Sequence, residues 1–203
     1  MRRYEIINKI IKDRGAKKYL EIGVYTGQCI REIKVEHKDG VDPGSEGHVA
    51  PEVTHRMTSN EFFESLDKDF KYDVIFIDGL HHSEQVDIDI ENSLNHLVDN
   101  GVIVLHDCDP FMYEVNYIRV IEDYLGVAWN GTVWKTIYKL KATRPDLNIC
   151  TVNTDEGVGL IKRESQELVP FDNPYFEYKI FQQNRTRDLN LISPEKISSW
   201  ILD

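Results

Sequence analysis

The chain has 203 residues, of which 41% are hydrophobic and 29% charged, and its formal net charge is −11. This size and composition predict one soluble globular domain that can bury a full core. The acidic balance argues against a nucleic-acid partner, because that binding depends on clustered Lys and Arg. We see no signal peptide and no run near the ~18 apolar residues of a membrane span, so no membrane association is expected.

The three cysteines, Cys29, Cys108 and Cys150, are widely spaced and contain no C-x-x-C pair. This pattern predicts neither a disulfide framework nor a cysteine zinc site, and it favours a reducing cytoplasm.

In chain order, the first predicted element is an amphipathic helix in residues 1–16, with isoleucines on one face and Gly15 as its stop. An α/β core follows over residues 17–162. Residues 163–203 form a polar and aromatic C-terminal extension that ends in a helix from about Ser193 to Leu202. We expect these three parts to form a single domain.

The core opens with a predicted strand, Tyr19–Gly23, which turns into a predicted helix from Gln28 to Lys34. The pattern Glu21-x-Gly23-x-x-x-Gly27 places glycines at this turn, where the backbone can approach a ligand closely. It departs from the G-x-G-x-x-G spacing of dinucleotide sites, and it is also compatible with a simple tight turn. A carboxylate here would suit a ligand that carries an amine or sulfonium charge.

The next predicted strand ends at Asp42, roughly 20 residues beyond the glycine loop, where an acid can take both hydroxyls of a ribose. Asp42 is also compatible with local capping of a turn. We predict a third strand at 53–57, then a helix over 60–66 with Ser59 as its N-cap.

The apolar run Tyr72–Ile77 predicts a central parallel strand, and it stops at Asp78, followed by His81. A second apolar strand, 102–105, enters through an Asn-Gly turn and stops at His106 and Asp107. Ligands of open α/β sheets sit at the carboxyl ends of strands. Two such ends that carry acid and histidine predict one shared site, although capping of strand ends is an alternative for both histidines.

The rest of the core is predicted to hold helices at 86–97, 111–125 and from 133 to about 140. Two strands, 147–152 and 157–161, have a join too short for a parallel crossover and should form an antiparallel hairpin. Trp129 and Trp134 could line an acceptor pocket or pack in the core. The aromatic tail Phe171–Phe181 could be a homodimer contact or a substrate lid.

Alternating β/α units followed by an antiparallel hairpin resemble a class I S-adenosylmethionine-dependent methyltransferase, with a Rossmann-like doubly wound, mostly parallel sheet. The motifs that carry the resemblance are Glu21–Gly27, Val41-Asp42-Pro43, Ile77–His81 and Val104–Asp107. The acid-Gly-x-His element is similar to that of small-molecule enzymes such as macrolide sugar O-methyltransferases, and to many uncharacterised bacterial members.

The resemblance implies contacts with S-adenosylmethionine from Glu21, Gly23, Val24, Tyr25, Thr26, Gly27, Asp42, Thr58, Ser59 and Asp78. It implies Mg²⁺ or Mn²⁺ at Asp78, His106 and Asp107, with His81 and Asp78 catalytic and His81 as the general base. His106 stands where the macrolide-sugar enzymes have a glutamate, and this departure from hard oxygen ligands weakens the case for magnesium.

The sequence therefore predicts metal-assisted O-methylation of a small hydroxylated molecule such as a sugar. Three alternatives stay open: a dehydrogenase, a metal-dependent hydrolase that uses Asp78, His81, His106 and Asp107, and a binding module without turnover. The glycine spacing and hairpin disfavour the first, and no G-x-S-x-G motif supports the second.

Overall fold

The computed structural model describes residues 1–45, 47, 49–112 and 129–202. In this part of the chain, seven strands form one sheet: β1 Lys18–Ile22, β2 His37–Val41, β3 Tyr72–Ile77, β4 Leu97–Leu105, β5 Leu147–Val152, β6 Val158–Arg163 and β7 Leu191–Ile192. The helices are α1 Arg3–Arg14, α2 Ser59–Ser65, α3 Ser83–Asn95, α4 Val133–Thr143, α5 Tyr178–Asp188 and α6 Ile197–Leu202.

The strand order is β2-β1-β3-β4-β6-β5-β7. Strands β1 to β4 pair in parallel, whereas β6 runs antiparallel to both β4 and β5, and β7 is parallel to β5. The predicted Rossmann-like sheet and its C-terminal antiparallel hairpin are confirmed. The hairpin inserts its second strand next to β4, which brings the β5–β6 turn to the carboxyl end of β4.

Each face of the sheet is covered by an apolar layer. One layer packs α2, α3, α4 and α5 against the sheet, and the other packs α1 and α6. Helix α1 buries its four isoleucines, Ile6, Ile7, Ile10 and Ile11, and ends at Gly15 in the left-handed conformation, as its spacing predicts. The strands are therefore covered on both faces, and their carboxyl ends are left to form a site.

Several local predictions in the first half are wrong. The helix expected over 28–34 is a single 3₁₀ turn, Ile30–Glu32. Lys38 Nζ donates hydrogen bonds to the carbonyls of Ile30 and Ile33 at 2.7 and 3.2 Å. The backbone is already extended at Ile33, and the Lys38 side chain satisfies carbonyls that the end of the turn leaves without a helical partner. The strand expected at 53–57 is reduced to one bridge between Val41 and His55.

Two further boundaries differ. Thr58, not Ser59, is the N-cap of α2, since its hydroxyl accepts from the Glu61 N–H at 3.3 Å and Glu61 bonds back to the Thr58 N–H at 2.9 Å. Strand β4 runs without a turn from Leu97 through Asn100 and Gly101 to Leu105.

In the C-terminal half, the helix expected at 111–125 lies mostly outside the described residues. The C-terminal extension contains α5, which the sequence analysis missed, and Phe181 on this helix stacks on Trp134 in the core with ring centroids 4.1 Å apart. The final helix is α6, preceded by a 3₁₀ turn at Pro194–Lys196. Among the described residues, no helix is both long and apolar enough to span a membrane.

Candidate active site

The carboxyl ends of β3 and β4 meet, because Ile77 and Leu105 are paired in the parallel ladder. Asp78 follows one strand, and His106 and Asp107 follow the other. His81 Nε2 lies 3.3 Å from Asp78 Oδ1 and 3.3 Å from Asp107 Oδ2. The two strand ends that the sequence singled out therefore share one cluster.

The His81 ring has a fixed orientation. Its Nδ1 donates to the Trp129 carbonyl at 2.7 Å, and the ring stacks on Trp129 with centroids 5.0 Å apart. A carbonyl can only accept, so the proton sits on Nδ1, and in the neutral ring Nε2 presents a lone pair to the carboxylates. Trp129 thus belongs to the site, whereas Trp134 is buried in the core.

Both ring nitrogens of His106 are occupied. Nδ1 lies 2.9 Å from Asp107 Oδ2, and Nε2 lies 2.9 Å from Arg3 Nη1. Asn130 Nδ2 donates to the other Asp107 oxygen at 2.8 Å. Asp107 itself has φ +61°, a left-handed conformation that these bonds help to hold.

The charges in this cluster shift one another's pKa values. Burial raises the pKa of Asp78, but His106 and His81 outweigh it and hold that pKa well below its usual range. Burial opposes the imidazolium of His81, yet Asp107 and Asp78 raise its pKa to about 9. At neutral pH the resting cluster therefore contains an ionised Asp78 and a protonated His81.

A divalent cation fits part of this cluster. Asp78, His81 and Asp107 each offer a ligand atom, and the three atoms lie within 4.8 Å of one another. His106, the imidazole predicted as a ligand, is not one of these three residues, and both of its ring nitrogens lie near other protein groups. A cation with two carboxylate oxygens and one imidazole would have to displace the proton of His81.

The other half of the edge is the glycine loop after β1. Gly23 has φ +87°, and a Cβ there would overlap the backbone carbonyl of Asp78. Gly27 has φ +78°, where a side chain would crowd Glu52, Arg31 and Ala50. The turn therefore requires glycine at both positions, and it lies directly against the acid at the end of β3.

The remaining predicted cofactor residues are placed as follows. Asp42 accepts the Tyr25 and Gly44 backbone N–H groups, each at 2.7 Å, so it caps the turn as the alternative interpretation held; its carboxylate has lone pairs left for a ligand. Val24 is buried in the core, Tyr25 is half exposed, and Thr26 is partly buried. Thr58 and Ser59 lie at the start of α2, where Ser59 Oγ accepts from Gln85 at 3.4 Å.

Glu21 is buried beneath this loop, and its carboxylate accepts the Tyr19 hydroxyl at 2.5 Å. Burial raises the pKa of Glu21 to about 7, although the Tyr19 hydrogen bond lowers it in part. A cation near this carboxylate would favour its ionised form.

The sequence analysis missed three residues of the site: Arg3, Asn130 and Asp155. Arg3 Nε lies 3.5 Å from Asp78 Oδ2, and Arg3 Nη1 lies 3.3 Å from Asp155 Oδ2. Asp155 lies in the β5–β6 turn, and the only local signal for it was that short acidic turn.

Comparisons with known proteins agree with this fold. Residues 20–108 match the family model of a methyltransferase domain. No curated protein sequence matches the chain significantly. Solved structures with the same fold include a proposed O-methyltransferase from Klebsiella pneumoniae, with 18% identity, TM-score 0.57 and 80% of each chain covered.

A second is the O-methyltransferase from Bacillus cereus in complex with SAH, with 16% identity, TM-score 0.54, and 79% of this chain and 80% of that chain covered. A third is the MycE methyltransferase of mycinamycin biosynthesis in complex with Mg, SAH and mycinamycin VI, with 14% identity, TM-score 0.52, and 81% of this chain and 50% of that chain covered. Residues 20–108 thus resemble a methyltransferase domain, and the chain has the fold of these solved methyltransferases.

Proposed function

We propose that the protein transfers a methyl group from S-adenosylmethionine to a hydroxyl of a small acceptor molecule. The observation that carries this proposal is the contact between Gly23 and the backbone of Asp78. Because of this contact, a glycine loop that could bind S-adenosylmethionine lies directly against an acid–histidine cluster that could bind and deprotonate a hydroxyl group. Cofactor and acceptor would therefore meet at one point of the edge.

At Gly23 and Gly27 the cofactor could approach the backbone closely. Tyr25, Thr26 and the backbone of Val24 would then lie beside the cofactor. Glu21 would face its positive charges, and Asp42 would hold the ribose, with Thr58 and Ser59 nearer the base. When bound, S-adenosylmethionine supplies an electrophilic methyl group on a sulfonium, which leaves as a neutral thioether. The chain's own contribution is alignment of the acceptor oxygen and removal of its proton.

His81 Nε2 is the group that would take that proton, because it lies between Asp78 and Asp107 and its other nitrogen is bonded to a carbonyl. The acceptor oxygen would attack the methyl carbon as its proton moves to Nε2, and the adjacent carboxylates would stabilise the imidazolium that forms. His81 must first be neutral, and a nearby sulfonium charge favours loss of its proton.

A divalent cation at Asp78, Asp107 and His81 would acidify the hydroxyl directly. In that arrangement His81 Nε2 is a ligand, so it cannot also accept the proton. The metal-bound and base roles of His81 are therefore alternatives, and metal dependence distinguishes them.

An open groove of about 650 Å³ offers room for the acceptor. Its lining includes Phe111, four residues after Asp107, together with Tyr175, Phe176 and Lys179. The hydroxyl of Tyr178, another lining residue, donates to the Pro110 carbonyl at 2.9 Å, which ties the groove to the loop after β4. Part of the aromatic tail would then serve as the wall of an acceptor site.

The first experiment is calorimetric titration of the protein with S-adenosylmethionine, with and without Mg²⁺ or Mn²⁺. The second measures SAH release with a panel of sugars, catechols and other small alcohols under the same conditions. Binding with turnover supports the proposal, and turnover in the presence of a chelator assigns His81 as the base. Binding without turnover on any acceptor would indicate a non-catalytic module, and no binding would overturn the proposal in favour of a metal-dependent hydrolase.

A further inference from the structure

Tyr19 lies beside Glu21 on β1, beneath the glycine loop. Side chains two residues apart in a strand project from the same face of the sheet, so these two meet. The Tyr19 hydroxyl donates to Glu21 Oε2 at 2.5 Å, and both residues are almost completely buried. The strand therefore supplies a hydrogen-bond donor to its own buried carboxyl group.

This hydrogen bond has a fixed direction. Burial and the neighbouring Glu21 raise the pKa of Tyr19 well above its usual range, so the hydroxyl keeps its proton at neutral pH. The hydroxyl therefore donates and the carboxylate accepts. An ionised carboxylate is costly to bury without such a partner, and a hydrogen bond to a charged group is among the stronger ones in proteins. Tyr19 thus holds the Glu21 carboxylate in place.

Other groups also face the Glu21 carboxylate. Burial has the largest influence on the pKa of Glu21 and raises it to about 7, and the charge of Asp78 acts in the same direction. The Tyr19 hydroxyl, the Cys29 thiol and the Ile30 backbone N–H lower that pKa through hydrogen bonds. None of these four groups is a cation, so they leave the charge of an ionised Glu21 without a counter-charge.

A positively charged ligand at the loop would supply that counter-charge. Gly23 and Gly27 let a ligand approach the backbone closely, and Glu21 lies beneath this backbone, 1% exposed. Water screens a buried charge only weakly, so Glu21 can attract a cation through the loop without touching it. The attraction depends on where the carboxylate is held, because it falls with distance.

We propose that Tyr19 is a positioning residue for the cofactor: it holds the Glu21 carboxylate beneath the glycine loop, where Glu21 attracts the positive charges of S-adenosylmethionine. This inference rests on the proposed function, because it takes S-adenosylmethionine as the ligand. Since Tyr19 acts through Glu21, its contribution should appear in cofactor affinity and should vanish when the charge of Glu21 is removed.

The test is calorimetric titration of Tyr19→Phe with S-adenosylmethionine. The substitution keeps the buried ring and removes only the hydroxyl. We expect the Kd to rise roughly tenfold, because a hydrogen bond to a charged group contributes about that much. An unchanged Kd would overturn the proposal.

Tyr72→Phe is the matched control. Tyr72 is also almost completely buried in the sheet, and its hydroxyl donates to a carboxylate, Asp39 Oδ2, at 2.7 Å. Urea denaturation should show comparable losses of stability in the two variants, but only Tyr19→Phe should weaken cofactor binding. An equal rise of Kd in Tyr72→Phe would show that loss of any such hydroxyl is sufficient, and the proposal fails.

A double-mutant cycle separates positioning from general damage. In a Glu21→Gln background, Tyr19→Phe should change the Kd for S-adenosylmethionine by no more than about twofold, because the charge it positions is absent. A merely structural role of Tyr19 would give the same tenfold loss in both backgrounds. Additive losses would therefore overturn the proposal.

Turnover supplies the last measurement. With an acceptor from the panel and saturating S-adenosylmethionine, kcat of Tyr19→Phe should stay within about twofold of the unaltered protein, because the lost interaction concerns cofactor binding. A loss confined to kcat would overturn the positioning role. If the unaltered protein does not bind S-adenosylmethionine, the proposed function fails and this inference with it; if it binds and Tyr19→Phe binds equally well, only this inference fails.

Discussion

The two halves of the sheet edge are built in different ways. At the ends of β1 and β2, backbone makes the surface: two glycines in left-handed conformations and N–H groups bonded to Asp42. At the ends of β3 and β4, charged side chains form the surface, and two of them, Asp107 and His106, are almost fully buried. The first half suits recognition of a large, common ligand by shape, and the second suits proton transfer. The difference predicts that mutations will separate binding from turnover.

The sharpest test of that division is His81→Gln. Loss of a positioned base costs 10²–10⁴-fold in rate, so kcat should fall by about that factor while the Kd for S-adenosylmethionine changes little. SAH release and calorimetry measure the two quantities. His82→Gln is the control, because His82 is exposed and adjacent; comparable losses in both variants would contradict a special role for His81.

Gly23→Ala should distort the glycine loop at the ends of β1 and β2 and its contact with the backbone of Asp78. The new Cβ would meet the Asp78 carbonyl in a left-handed conformation, so we expect a loss of about 2–4 kcal/mol in the free energy of unfolding and loss of cofactor binding. Urea denaturation measures the stability.

Gly15→Ala is the control for backbone strain alone. It has φ +65° and nothing within 4 Å of an added Cβ, so it should cost about 1–2 kcal/mol and leave binding intact. Equal costs at the two positions would show that the close approach of Gly23 to Asp78 is unimportant.

Asp42→Asn tests whether the glycine-loop half of the sheet edge binds a ribose. A charged acceptor contributes about 1.5–3 kcal/mol, so the Kd for S-adenosylmethionine should rise roughly 10- to 100-fold. Asp39→Asn is the control on the same strand, since Asp39 is bonded to Tyr72 and His37 away from the loop. Unchanged affinity in Asp42→Asn would remove Asp42 from the pocket.

The smallest effect expected is a pH dependence of cofactor affinity. Because the pKa of Glu21 is about 7 and a cationic ligand favours its ionised form, affinity should rise with pH below about 7 and then level off. The slope is at most about tenfold per pH unit for one proton. Glu21→Gln should flatten the curve; a slope that survives this substitution would assign the proton elsewhere.

These two halves also differ in how far the sequence predicts them. The strand ends of β3 and β4 follow from short apolar runs that stop at polar residues, and parallel pairing brings such ends together. Arg3 and Asp155 could not be found this way, because their contact spans 152 residues and depends on β6 entering beside β4. The short turn in place of the helix predicted at 28–34 also involves the next strand, since Lys38 of β2 donates to the Ile30 and Ile33 carbonyls.

The position of β6 also sets an order of assembly. Strands β1 to β4 can pair as soon as they are made, but the outer edge of β4 stays open until β6 is available. A nascent chain that ends before Asn153 would present that bare edge, with Val104 and Leu105, as a template for other strands. We therefore expect truncated chains to aggregate, and the last step of folding to complete the sheet and the charged half of its edge together.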